Sequence, residues 1–154
     1  MSAWLIDTNL LLRIADTDCE LHELASHSLA ELTARKEMLF VSGQTFYELW
    51  VTATRPVDKR GLGWTEEAAG ELLDKVEKRF LRLEDPAGML KEWLRIVQTH
   101  HITGLKAHDM RLVAYARLHR IPRIFTFNTD DFKAVSSEIT VVHPRDYLAN
   151  PEAF

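Results

Sequence analysis

The sequence predicts an α/β fold, a Rossmann-like parallel sheet of about five strands with helices on both faces. Three observations lead there. Short apolar runs alternate with longer segments of helical period, several of those runs end abruptly in polar residues, and no internal repeat or low-complexity segment breaks the alternation. Strands that alternate with helices build parallel sheets covered on both sides. A chain of 154 residues is long enough for one core and too short for two. Residues 1–149 are therefore read as a single domain and 150–154 as a loose tail.

The first strand is Ala3-Trp4-Leu5-Ile6, and it runs directly into Asp7-Thr8-Asn9. In open α/β sheets ligands collect at the carboxyl ends of strands, so an acid there invites a chemical explanation. Residues 10–15 are expected as a helix and 16–20 as a polar loop. A second helix is expected over 21–36, because Leu21, Leu24, Ala25, Leu29 and Leu32 recur at three- and four-residue steps. Met38-Leu39-Phe40-Val41, closed by Ser42-Gly43, is the second strand. Residues 44–54 follow as a helix with Phe46, Leu49, Trp50 and Ala53 on one side and Gln44, Glu48 and Thr52 on another.

Residues 55–64 combine Pro56, Gly61 and Gly63 with Arg55, Lys59 and Arg60, the composition of a loop. Thr65 caps a helix that carries Glu66 and Glu67 in its first turn and buries Ala69, Leu72, Leu73 and Val76. The alternation in 79–83 reads as a half-exposed edge strand. Asp85 as cap and Pro86 at the first helical position should start a helix that presents Leu90, Trp93, Leu94 and Val97 to the core. A further helix is expected over 108–120, with Leu112, Val113, Ala116 and Arg120 on one stripe and Asp109 on the same side. Residues 121–127 form a buried strand whose polar exit is Asn128-Thr129-Asp130-Asp131. Residues 138–142 make the last strand, which His143-Pro144 breaks.

Composition narrows the function classes. With 46% hydrophobic and 27% charged residues the chain is an ordinary globular protein, not a disordered one. No apolar run approaches the roughly 20 residues needed to cross a bilayer. The lone Cys19 offers no internal disulfide and no basic-then-apolar leader is present, so a cytoplasmic setting is expected. A net charge of −4 argues against binding nucleic acid through a broad basic surface. It does not argue against a metal-dependent nuclease, whose carboxylates lower the total until a cation is bound.

The acids are the organising feature. Asp7, Glu48, Asp109 and the 128–131 group all fall at strand exits or helix starts, which a doubly wound sheet would gather. Carboxylates brought together either take up protons or bind a cation, and an all-oxygen set suits Mg²⁺ or Mn²⁺. A zinc site is disfavoured, since His100, His101 and His108 surround one loop without a helical pair four residues apart.

Four separated motifs resemble those of PIN-domain nucleases, and in particular VapC-type toxins of bacterial toxin–antitoxin pairs. They are Leu5-Ile6-Asp7-Thr8-Asn9, the stretch from Gln44 to Glu48, Gly104-Leu105-Lys106-Ala107-His108-Asp109, and Thr126-Phe127-Asn128-Thr129-Asp130-Asp131-Phe132. Their order covers nearly the whole chain. The resemblance implies a Mg²⁺- or Mn²⁺-dependent endoribonuclease in which Asp7, Glu48 and Asp109 hold the metal, with Asn128 and Asp131 completing the set. Asn128 is a departure, since many members of the family carry an acid there, so the fourth ligand is Asn128, Asp131 or Asp130. The resemblance further implies that Thr8, Asn9 and Thr126 orient the carboxylates. It also implies an RNA substrate, a small antitoxin protein as partner and a homodimer. Arg13, Arg55 and Lys106 are candidates for steering the RNA backbone.

Two other readings compete. A catalytically idle PIN-like module that binds RNA or a protein partner is suggested by Asn128 and the negative total charge. A Mg²⁺ phosphatase on a similar sheet is disfavoured, because Asn9 stands where such enzymes carry a second acid.

Overall fold

The computed structural model describes residues 2–154. Its five strands are β1 (Ala3–Ile6), β2 (Met38–Val41), β3 (Leu81–Arg82), β4 (Arg123–Phe125) and β5 (Thr140–Val142). They form one all-parallel sheet in the order β3-β2-β1-β4-β5. Seven helices connect and cover them: α1 (Thr8–Ala15), α2 (His22–Ala34), α3 (Gly43–Thr54), α4 (Glu66–Arg79), α5 (Met89–Thr99), α6 (Lys106–Leu118) and α7 (Pro144–Ala149). The expected Rossmann-like α/β architecture is the observed one.

The central place of β1 explains its unbroken apolar sequence. It pairs with β2 through Trp4↔Leu39 and with β4 through Leu5↔Ile124, so neither edge meets solvent. Successive side chains then point to opposite faces. Trp4 and Ile6 enter a core shared with α1, α2, α3, α4 and α7, while Leu5 enters a second core shared with α5 and α6. The chain winds from β1 outward to β3 and then crosses to β4 on the other side of β1. That reversal makes the carboxyl ends of β1 and β4 the switch point, where the two helical layers part.

Several boundaries differ from the sequence reading. α5 starts at Met89, after Gly88 in the left-handed region, rather than at Pro86. Its buried side is Met89, Trp93, Ile96 and Val97, and Leu90 and Leu94 are exposed. Both sets satisfy helical spacing; the Trp93 Nε1 hydrogen bond to the Ala107 carbonyl, 2.7 Å long, joins Trp93 to the start of α6 on the buried side. β3 is shorter than expected because Phe80 turns inward as the cap of α4, leaving two exposed residues to pair with β2. β4 and β5 are likewise shorter than 121–127 and 138–142. Arg120 is not on the α6 stripe; it lies beyond the helix end with a φ of 57°. The tail is not loose, since Glu152 pairs with Arg35 at 2.8 Å and Phe154 packs on the core beside Tyr147.

The loop after α3 is tightly built. The amides of Leu62, Gly63 and Trp64 bond to carbonyls of Thr52, Arg55 and Ala53, and a Cβ on Gly61 would lie 1.9 Å from the Arg55 carbonyl oxygen. Only glycine fits there. Elsewhere Glu138, expected in the last strand, precedes β5 and binds Arg95, His100 and Arg117 at 2.7–2.9 Å. Among the described residues, no helix is long and apolar enough to cross a membrane.

Candidate metal centre

Asp7 is the best-anchored residue of the site. It stands between the last residue of β1 and the first of α1, and its amide continues the sheet by bonding to the Phe125 carbonyl. Its Oδ1 accepts from the Thr8 amide at 2.7 Å, which caps α1. Its Oδ2 accepts from Thr126 Oγ1 at 2.8 Å and from Asn9 Nδ2 at 3.1 Å. Asn9 also donates to Thr126 Oγ1, and its own carbonyl accepts from the Phe127 amide. Strand β4 thus meets β1 through a small polar lock centred on one carboxylate. Asn9 and Thr126 orient Asp7 through their side chains. Thr8 does so only through its backbone, and among the described residues its buried hydroxyl has no partner.

Burial is the main cause that pushes Asp7 up to about 6, and the charges of Glu48 and Asp109 push the same way against the Thr126 and Thr8 hydrogen bonds. Asp109, in the first turn of α6, is half-buried as its place on the helix predicts. Burial also raises it to about 6, followed by the charges of Asp131 and Glu48, with His108 and Lys106 opposing. Glu48 and Asp109 therefore act on Asp7, and Glu48 and Asp131 on Asp109, although the four acids come from four separate stretches of chain. No arginine or lysine forms an ion pair with any of the four among the described residues.

Asp130 and Asp131 separate cleanly. Asp130 is exposed, pairs with Lys133 at 2.7 Å and is lowered by that lysine. Asp131 is half-buried and acts on Asp109. Asn128 is exposed, and its backbone N–H donates to Thr126 Oγ1. Of the three basic candidates, Lys106 lies close enough to act on Asp109 and Asp130. Arg13 contacts Cys19 Sγ, and Arg55 holds the Arg60 carbonyl of its own loop. Gln44, which the sequence reading placed beside Glu48 without a role, donates to Glu48 Oε1 at 2.6 Å. The four-residue spacing on one helix was the available signal.

Residues 4–138 match the family model of the PIN domain. This chain belongs to the PIN-domain family. A comparison with curated proteins gives no significant match. Solved structures of the same fold include VapBC-1 from nontypeable Haemophilus influenzae, with a TM-score of 0.68, 15% identity and coverage of 92% of this chain and 98% of that one. VapBC2 from Rickettsia felis, bound to a DNA fragment from its promoter, gives 0.67 and 14%, covering 91% and 97%. VapC20 from Mycobacterium tuberculosis, a sarcin-ricin-loop-cleaving toxin, gives 0.65 and 16%, covering 86% and 95%.

The donor set of this PIN domain fits a hard divalent cation. Its acids offer only oxygen, and the charges that raise Asp7 and Asp109 are those a cation would relieve. Among the described residues no three of these side chains converge into a closed chelate. Mg²⁺ does not require one, since it keeps several waters and commonly binds through one or two carboxylates.

Proposed function

We propose that this chain is a Mg²⁺- or Mn²⁺-dependent endoribonuclease that hydrolyses RNA phosphodiester bonds as the toxin of a toxin–antitoxin pair. The observation that carries the reading is a group of acids in which Glu48 and Asp109 act on Asp7 and Asp131 acts on Asp109, none of them in an ion pair among the described residues, at the switch point of a PIN-domain sheet. Asp7, Glu48, Asp109 and Asp131 would hold the cation, one or two directly and the rest through the waters it keeps, with the amide oxygen of Asn128 as a neutral donor at the rim. A bound cation would supply Lewis acidity and a lowered water pKa. The chain's own residues do the positioning. Asn9 and Thr126 fix the angle of Asp7, the Thr126 hydrogen bond favours its ionised form against burial, and Lys106 offers a positive charge beside the acids for a phosphate.

The partners belong to the same proposal. The structural neighbours include toxin–antitoxin complexes, and this chain has an apolar groove of about 710 Å³ between α1, α2 and α4, lined by Leu11, Ile14, Leu29, Leu72 and Val76. Such a groove suits an apolar segment of an antitoxin. Exposed Tyr47 and Val51 on α3 and Leu90 and Leu94 on α5 supply apolar surface for a second copy in a homodimer. A cytoplasmic location follows from the proposed substrate.

Purified protein incubated with a mixed RNA pool should cut it with Mg²⁺ or Mn²⁺ and stop with chelator. A short reading frame beside the gene should encode a protein that blocks the cleavage. The second reading, an idle module that binds RNA or a protein, is favoured by Asn128 in place of an acid. Retained RNA binding without metal-dependent cleavage would establish it.

A further inference from the structure

We infer that Gln44 is a positioning residue for Glu48, holding one carboxylate oxygen so that the other is presented to the cation. The inference rests on the metal-nuclease reading above. Gln44 and Glu48 are four residues apart on α3, where side chains lie one above the other. The 2.6 Å bond from Gln44 Nε2 to Glu48 Oε1 is charge-assisted and joins two half-buried groups. Among the described residues Gln44 supplies the one hydrogen bond to the Glu48 carboxylate, and Oε2 is left without a protein partner.

The chemistry of the donor matters as much as its position. A lysine or arginine at 44 would also orient Glu48, but it would neutralise the charge that attracts a cation. An amide orients and leaves the charge intact. The site's acids then divide into two kinds. Asp7 and Glu48 are held by neutral donors, whereas Asp109 and Asp131 have no side-chain hydrogen bond among the described residues. Partners of a metal-binding carboxylate typically change metal affinity by about 10–100-fold when removed.

The test measures Mn²⁺ binding to the full chain by electron paramagnetic resonance, without RNA, for wild type, Gln44→Met and Glu48→Gln. Methionine keeps the length of glutamine and removes the donor. Gln44→Met should weaken Mn²⁺ binding about tenfold or more. It should raise the metal concentration for half-maximal cleavage by the same factor, leaving the rate at saturating metal and the melting temperature of the metal-free protein as in wild type. Unchanged Mn²⁺ affinity in Gln44→Met, with Glu48→Gln impaired, overturns the role of Gln44 alone. A lowered melting temperature that accounts for the lost affinity overturns it too, by making Gln44 a helix-stabilising residue. If wild type binds no Mn²⁺, or Glu48→Gln binds it equally well, the metal reading itself fails and the inference falls with it.

Discussion

At the carboxyl end of the sheet Asp7 and Asp109 are pushed up to about 6, whereas beside α5 and α6 Glu138 is pulled down to about 2 and Glu92 is also lowered. All four are carboxylates removed at least partly from water. The difference lies in what faces them. Glu138 and Glu92 share Arg95 and Arg117, and His100 adds to Glu138, so the charge of each acid is answered within the chain. Asp7 and Asp109 face other acids and form no ion pair, although Lys106 and His108 partly offset the charge around Asp109. The first group holds α5, α6 and the approach to β5 together. The second gathers at the sheet's carboxyl end, where the proposed function places the cation.

The largest expected effect falls on activity at the second group. Asp7→Asn should reduce RNA cleavage by roughly a thousandfold or more, about 4 kcal/mol of barrier. It should leave the metal-free protein folded, as circular dichroism and a melting curve would show. Full activity in this variant would break the contrast.

Next comes pH. A carboxyl whose folded value is raised stabilises the fold at low pH and loses that contribution as pH rises through the folded value. Asp7 and Asp109, at about 6 against an ordinary 3.8, should make the metal-free protein more stable as pH falls from 7 towards 4, on the order of 2 kcal/mol for the buried Asp7. Glu138 runs the other way. At about 2 against an ordinary 4.5, its contribution is present above 4.5 and lost as pH falls towards 2. Melting temperatures of the chelated protein across pH 2–7 should therefore show a maximum, and Mg²⁺ should remove the gain on acidification from neutrality.

A smaller effect distinguishes neighbouring acids. Asp131→Asn should reduce cleavage about tenfold, about 1.4 kcal/mol. Glu138→Gln should cost roughly 1–2 kcal/mol of stability in denaturant melts, below the value for a fully buried pair because Arg95 and Arg117 are partly exposed. Its metal-saturated activity should be unchanged. The smallest effect belongs to Asp130→Asn, whose pair with Lys133 is exposed and screened by solvent. Neither stability nor cleavage should move measurably.

The strands, the helical layers and the acids at the strand exits were legible from residue pattern alone. An apolar strand ending in Asp7, a helix carrying Glu48 and a helix start at Asp109 are local signals, and the parallel sheet that gathers them follows from strand–helix alternation. Which side of α5 is buried was not legible, because two stripes of equal spacing compete and a contact with Ala107 separates them. Nor was the cluster around Glu138, whose partners stand 21 to 43 residues away. The tail was misread for the same reason: Glu152 finds Arg35, which lies 117 residues earlier.

The sequence by itself determined which residues are acidic, that strands alternate with helices in a parallel sheet, and that Asp7 stands at a strand exit. These follow from side-chain period and turn chemistry, which act over a few residues. Only the tertiary structure decided which acids stand unanswered and which are paired. It left Asp131 facing Asp109, and gave Glu138 to Arg95 and Arg117. The physical reason is that a carboxylate's charge is shifted by groups within several ångströms in space, and folding alone sets that neighbourhood.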